Sequence, residues 1–329
     1  MFQSLRRYLP DPFILALIAT VAIASLLPCR GAAAQVFGGL TTAAIALLFF
    51  MHGVRLPREA LISGLTHWRL HLVIFAATFV LFPLIGIGFA KLAPGLLPGP
   101  LWLGVLFVCA LPSTVQSSIA FTSIARGNVP AAIGAATASN LIGIFLTPVL
   151  VGLLLRLHGG GASLSQVWKV AAQLLAPFVV GHLLRPWLAG WAETNRRLVM
   201  LSDRGSILLA VYTSFSAAVV QGIWGQLPLS RFGVLILVLA AILALVLSAT
   251  TLGSRLMGFS REDEIAIVFC GSKKSLASGV PMANVLFAGS AVGMTVLPLM
   301  IFHQMQLMVC ATLARRYAAR AIEVPAPAE

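Results

Sequence analysis

The sequence predicts an all-α polytopic membrane protein of ten transmembrane helices, arranged as two inverted five-helix repeats. Three observations predict it. Hydrophobic residues make up 59% of the 329-residue chain and charged residues only 9%, with a mean hydropathy of +0.99, whereas soluble domains carry roughly 25% charged residues. Apolar stretches recur at the length a helix needs to cross a bilayer, about 20 residues at ~1.5 Å of rise through ~30 Å of hydrocarbon. The two-residue alternation of a membrane barrel is absent. This composition excludes a soluble enzyme, a disordered chain and a free-standing nucleic-acid module, so the net charge of +13 reads as a topology signal.

In chain order the predicted spans are 12–28, 36–54, 68–91, 101–125, 129–155, 166–186, 204–224, 231–254, 263–287 and 290–313, separated by loops bearing Pro, Gly or basic residues. Arg6, Arg7, the apolar run and Ala32-Ala33-Ala34 imitate a cleavable leader, but the first segment has membrane length and reads as a retained span. Five spans per half force the two copies to insert with opposite orientation. The division is 1–156 for the first repeat, 157–320 for the second, and a disordered tail at 321–329. Faint internal similarity falls at matching places, Val108-Cys109-Ala110 with Phe269-Cys270-Gly271 and Ser118-Ile119-Ala120 with Ser275-Leu276-Ala277.

With both termini in the cytoplasm, most of the 22 basic residues lie inside, among them Arg6, Arg7, Arg55, Arg58, Arg126, Arg196, Arg255 and Arg315. Arg30, Lys91, Arg156, Lys169 and Arg231 then lie outside, a distribution that satisfies the positive-inside rule for a cytoplasmic-membrane protein. Cys29, Cys109, Cys270 and Cys310 are far apart in apolar runs without a CxxC spacing, and read as small packed residues rather than as disulfides or a zinc site.

The fourth and ninth spans are irregular in the same way. In the fourth, Pro112 removes a helical hydrogen bond and Ser113, Thr114, Gln116, Ser117 and Ser118 follow directly. In the ninth, Gly271, Gly279 and Pro281 surround Ser272, Lys273, Lys274 and Ser275. Unwound backbone survives at membrane depth only inside protein or beside a cavity, so two broken helices point to a site between them. Half-helix N-termini there attract anions and exposed carbonyls attract cations. The alternative is that both prolines merely kink their helices while the hydroxyls bond back to their own turns.

Lys273 and Lys274 lie ten and eleven residues from Asp263, roughly 15 Å deep at the helical rise. Lysine at that depth must face a polar cavity, pair with an anion or be neutral. None of the nine acidic residues falls at mid-membrane depth. Three readings stay open: an ammonium meets an anionic substrate, one lysine carries a coupling proton, or an ammonium stands permanently where a metal cation otherwise would. The bland reading has both snorkel to the cytoplasm. Neighbours on a helix point about 100° apart, so the two are not expected to serve one site equally. Further polar candidates are Thr137, Ser139 and Asn140 in span five and His303, Gln304 and Gln306 in span ten, with interhelical structural bonding as the competing reading.

The run Ala125-Arg126-Gly127-Asn128-Val129, preceded by Pro112-Ser113-Thr114 and Gln116-Ser117-Ser118 and followed by Thr147-Pro148, resembles the bile acid:sodium symporter family. Gly271-Ser272-Lys273-Lys274-Ser275-Leu276-Ala277 is similar to its sodium-bile-acid-symporter-like (SBF-like) branch. The resemblance implies a core of spans three to five and eight to ten, where spans four and nine cross. It also implies a panel of spans one, two, six and seven, and alternating access with a small organic anion between the two. No organic cofactor is implied, and sodium is the one implied ion. Carried over by position, Ser117 and Ser118 fall near a sodium ligand cluster, with Thr137, Ser139 and Asn140 close by, and the resemblance implies Ser117, Ser118 and Asn140 as the candidate sodium ligands. The chain departs from the bile-acid carriers at Phe269 or Cys270, where they place a glutamate, at Lys273-Lys274, where they have Gln-Asn, and at Ala132 and Ala136, where hydroxyls are expected.

The expectation is therefore a cation-coupled secondary transporter of an organic anion, embedded in lipid, with no nucleic-acid partner; the sequence assigns no oligomeric state. The alternatives are a proton-coupled or sodium-independent carrier using Lys273 and Lys274, and a non-transporting membrane regulator. An intramembrane hydrolase built on Ser272 and Lys273 or on His303 is disfavoured, because adjacent helical residues point apart and no oxyanion framework is present.

Overall fold

A computed structural model describes residues 12–55, 67–157, 164–222, 229–287 and 291–320 of the chain, and all regular structure among them is helical. The helices are α1 (Pro12–Leu26), α2 (Gly31–Val54), α3 (Trp68–Leu92, with a π turn at Ala77–Leu81), α4 (Gly99–Ala110), α5 (Gln116–Ile124), α6 (Val129–Leu157) and α7 (Leu164–Leu183). After these come α8 (Arg185–Thr194), α9 (Arg196–Val220), α10 (Leu229–Leu256), α11 (Arg261–Gly271), α12 (Leu276–Leu286) and α13 (Ala291–Arg320). Six of them, α2, α3, α6, α9, α10 and α13, are long and apolar enough to cross a membrane. Arg6, Arg7, Arg58 and the tail expected at 321–329 lie outside the described residues.

Several helices outrun the apolar segments that announced them. Helix α9 begins at Arg196, not at 204, because nothing between Asn195 and Val220 breaks a helix even where the residues turn polar. Its extra turns carry Asp203, which meets Arg55 at 2.6 Å beyond the end of α2. Helix α8 was not expected. It is short, has Pro186 in its first turn, and exposes Trp187 and Trp191 beside Arg185, the composition of an interfacial helix.

Packing sorts the helices into two groups. Helices α1, α2, α7 and α9 pack on one another, and α3–α6 with α10–α13 form the second group. In the first, α2 and α7 touch backbone to backbone. A Cβ on Gly53 would fall 2.0 Å from the Phe178 carbonyl oxygen, and one on Gly181 2.0 Å from that of Phe50. Small residues permit such an approach where lipid offers no hydrophobic drive between helices. The groups meet where α7 lies against α6 and α12, and where α9 lies against α12 and α13.

Both expected interruptions occur, but Pro281 takes no part in one. Helix α4 stops at Ala110 ahead of Pro112, and α5 resumes at Gln116. Helix α11 stops at Gly271, and α12 starts at Leu276 with the Ser275 hydroxyl accepting from the Ser278 N–H at 3.1 Å. Pro281 sits inside α12, where its missing N–H forfeits only the bond to the carbonyl four residues back. The break is therefore at Ser272–Ser275, and neither Gly279 nor Pro281 makes it.

The Ala125-Arg126-Gly127-Asn128 run has a local structural role. Arg126 takes the left-handed conformation (φ 61°) that ends α5. The Gly127 N–H donates to the Thr122 carbonyl at 2.8 Å and the Arg126 N–H to that of Ser123 at 3.1 Å, a Schellman closure. Asn128 then starts α6. Its Oδ1 accepts from the Ala131 N–H at 3.0 Å, its own N–H donates to the Glu262 carbonyl at 2.9 Å, and its Nδ2 donates to Asp263 at 2.8 Å. Stop, start and docking onto α11 are thus encoded in four residues.

Candidate functional site

The two interruptions cross, and each supplies the hydrogen-bond partners the other lacks. Every carbonyl from Cys109 to Ser113 is accounted for, as burial in a membrane protein requires. That of Ala110 accepts from the Thr147 hydroxyl at 2.9 Å, that of Pro112 from the Ser275 N–H at 2.9 Å and that of Ser113 from Asn140 Nδ2 at 2.7 Å. Those of Cys109 and Leu111 accept from Lys274 Nζ at 2.9 and 2.7 Å. In the opposite direction, the Ser113 hydroxyl donates to the Cys270 carbonyl at 2.6 Å and the Ser118 hydroxyl to that of Phe269 at 3.0 Å.

Lys274 is fully buried at the centre of this crossing. Its third N–H donates to the Thr78 carbonyl at 2.7 Å, in the π turn of α3. The sequence shows why that carbonyl is free. In the π register Phe82 donates to Ala77, so the next donor in line is Pro83, which has no N–H. The Phe82 ring faces Nζ at 4.1 Å. Gln306 holds the main chain of the same residue, accepting from the Lys274 N–H and donating to its carbonyl, each at 2.8 Å. The Gln306 amide also lies 2.9 Å from His303 Nδ1.

Lys273 points to the other side and is equally buried; the expected divergence occurs, but in the non-helical stretch Ser272–Ser275, where the helical offset that suggested it does not apply. Its Nζ has no hydrogen-bond partner among the described residues. It lies 4.3 Å from the Phe121 ring centroid and 5.5 Å from that of Phe269, close to the Cys270 and Cys310 thiols. Neither lysine snorkels. An apolar column of Ile265, Phe269, Cys310, Ala314 and Tyr317 continues from Lys273 along α11 and α13. It ends where the Tyr317 hydroxyl and the Arg255 guanidinium hold Glu264, at 2.7 Å and at 2.9 and 3.0 Å.

The other candidates divide. Ser113, Thr114, Ser117, Ser118, Ser139 and Asn140 form one network, with Thr114 joined to Ser117 and Ser118 and the Ser139 hydroxyl accepting from the Ser113 N–H. Asn140 Oδ1 accepts from Ser278 at 2.7 Å. Ser272 bonds back to Val268 in its own helix. Gln116 is exposed, Thr137 joins no part of the network, and the Gln304 Oε1 is buried without a partner. Phe82, Phe121, Phe269 and the carbonyls of Thr78, Cys109 and Leu111 were not anticipated as site groups. The one sequence signal for any of them is Pro83, five residues after Thr78.

A separate cavity of about 530 Å³ lies between the two helix groups. Its polar lining includes Thr41, Thr42, Gln173, Thr213, Ser214 and Asn284, and its apolar lining includes Ile45, Val285, Phe287 and Val292. The Ser214 hydroxyl donates to Asn284 across the boundary at 3.0 Å.

Comparison with known proteins agrees with this architecture. The model of the SBF-like CPA transporter family matches residues 11–319. The putative symporter YfeH of Escherichia coli is 56% identical, over 93% of this chain and 92% of its own. An uncharacterised protein of Pseudomonas aeruginosa is 58% identical over 97% and 96%, and the sodium/bile acid cotransporter 7 of Rattus norvegicus 30% identical over 93% and 92%. A whole-chain family match, helices of spanning length and a buried crossing of broken helices lead to one assignment: this chain belongs to the SBF-like CPA transporter family, an integral membrane transporter and not an enzyme.

Proposed function

We propose that the protein carries an amphipathic organic anion across the cytoplasmic membrane by alternating access. In this reading ten spans form two inverted repeats with both termini cytoplasmic. Helices α4–α5 and α11–α12 are the broken fourth and ninth spans. The group containing them is the core, and α1, α2, α7 and α9 are the panel. The carrying observation is the polar and apolar cavity at the boundary of the two groups, lined on one side by Asn284, Val285 and Phe287 from the C-terminal end of the broken ninth span. An amphipathic solute fits a lining of hydroxyl and amide groups interleaved with Ile45, Val285 and Phe287. The names of two relatives, symporter and sodium/bile acid cotransporter, support the same class.

Cation coupling at Ser117, Ser118 and Asn140 is the reading the family resemblance favours, and these side chains lie in one network. A second reading, proton coupling through Lys273, is favoured by that residue's unpartnered Nζ, beside which the thiols of Cys270 and Cys310 are the titratable groups. The test is uptake of labelled bile acids and sulfate conjugates into proteoliposomes. A carrier gives saturable uptake stimulated by substrate on the far side, and a sodium gradient or a proton gradient drives it according to which coupling holds. No trans-stimulated uptake of any such anion would refute the proposal and leave a regulator.

A further inference from the structure

We infer that Lys274 is a built-in cation: its ammonium occupies a three-carbonyl seat at the helix crossing that would otherwise take a free monovalent cation. The inference concerns how the transporter proposed above is charged, and it rests on that reading only for its consequence, not for its test.

The geometry is that of an ion site. Three carbonyl oxygens from two helices, those of Thr78, Cys109 and Leu111, converge on one point at 2.7, 2.9 and 2.7 Å. These are the distances of charged N–H···O bonds. Cys109 and Leu111 stand at the C-terminal end of α4, where the helix dipole is negative, and the Phe82 ring presents its face to the same point. Three acceptors match the three protons of an ammonium. A neutral amine has two, and would turn its lone pair on the third oxygen. Among the described residues no carboxylate pairs with this ammonium, so backbone dipoles and a ring face hold its charge.

The seat is also prepared independently of the side chain that fills it. The Thr78 carbonyl is freed by the π turn and Pro83, and those of Cys109 and Leu111 by the break at Pro112. Gln306 clamps the Lys274 backbone on both its N–H and its carbonyl, fixing where the side chain starts. Lys273 has none of this: its Nζ meets two rings and, among the described residues, no hydrogen-bond partner. In consequence the crossing keeps its positive charge through the whole cycle, and no mobile ion enters or leaves at this position.

Truncation tests this directly. Lys274→Ala removes Cγ, Cδ, Cε and Nζ, which are the atoms of propylammonium. The purified variant should melt below the wild type in choline and recover most of the loss in millimolar propylammonium added from extraction onward. Equimolar propanol, the neutral analogue, should restore nothing. Equal melting of the variant in choline, propanol and propylammonium would overturn the inference, whether or not the protein transports anions. Should Lys274→Ala not be recoverable in any of these, 15N spectra of the lysine-labelled wild type decide, since only Lys91, Lys169, Lys273 and Lys274 contribute. Three protons on the Lys274 Nζ are expected at neutral pH, and two would overturn the inference.

Discussion

Gln306→Leu tests the backbone clamp at the crossing. The substitution keeps a buried side chain of similar size but removes the acceptor for the Lys274 N–H and the donor to its carbonyl, both at 2.8 Å. Gln306 is fully buried, so no water replaces either bond. An unsatisfied buried group costs about 1–3 kcal/mol, so two cost about 2–6 kcal/mol, partly offset because Leu is easier to bury than an amide and because His303 Nδ1 lies 3.5 Å from the same Lys274 carbonyl. At roughly 2–4 °C per kcal/mol for a large domain, the midpoint should fall on the order of 10 °C. Tryptophan fluorescence of the detergent-purified protein on heating measures it. Gln304→Leu is the control, because its Oε1 is already buried without a partner and nothing bonded is lost. The reasoning fails if Gln306→Leu melts with the wild type, or if Gln304→Leu falls as far.

Four further outcomes are expected. Arg126→Gly should be neutral or stabilising by about 1 kcal/mol, since glycine adopts the left-handed φ of 61° without a Cβ penalty. Gly127→Val should instead destabilise, because its Cβ would fall 2.4 Å from Ile265; thermal melts of the pair separate the two effects. Glu264→Gln should cost about 1 kcal/mol and less in high salt, because Arg255 is half exposed and screened while Tyr317 keeps an acceptor; melting at two ionic strengths reads it. Lys273→Met should fold and flatten the pH dependence of uptake if Lys273 carries the proton, whereas an unchanged pH profile would remove it from coupling.

What was legible in the sequence follows a physical division. A missing N–H at Pro112 and the run of small polar residues after it are written in residue types, so the first interruption is legible in the sequence, while the second is legible only in Gly271 and the polar Ser272–Ser275 run. Lys273 and Lys274 do diverge, but not through the helical 100° per residue, because both lie in the non-helical break between Gly271 and Leu276. The partners of Lys274 were not visible, because they are carbonyls and every residue has one. Choosing Thr78, Cys109 and Leu111 requires knowing which backbone groups the fold leaves unpaired. Likewise Phe82, Phe121 and Phe269 are three of 19 phenylalanines, and only packing sets them beside an ammonium. Gln306 was distinguished from Gln304 by which face of α13 meets the crossing, a tertiary fact. Pro281 misled because a proline breaks a helix only where its lost bond has no substitute, and inside short α12 the cost is one bond.

The distribution of bonds also says where motion belongs. Between α4–α5 and α11–α12 the contacts include a backbone hydrogen bond, two hydroxyl-to-carbonyl bonds and the Lys274 ammonium. Breaking them together would strand several buried polar groups, so the crossing is expected to move as one body. Between α9 and α12, by contrast, the described residues share one side-chain hydrogen bond, Ser214 to Asn284 at 3.0 Å, beside the cavity. In the proposed alternating-access cycle, the boundary between the two helix groups is where relative motion is expected. A disulfide should therefore discriminate: Ser214→Cys with Asn284→Cys, in a Cys29→Ser background, bridges the groups and should stop uptake on oxidation and restore it on reduction. Ala44→Cys with Ser206→Cys joins residues within one group, where the Ser206 hydroxyl already donates to the Ala44 carbonyl at 3.1 Å, and should leave uptake running. Uptake that persists through the Ser214–Asn284 bridge would place the moving boundary elsewhere, and the cavity between the groups would then no longer mark the path of the solute.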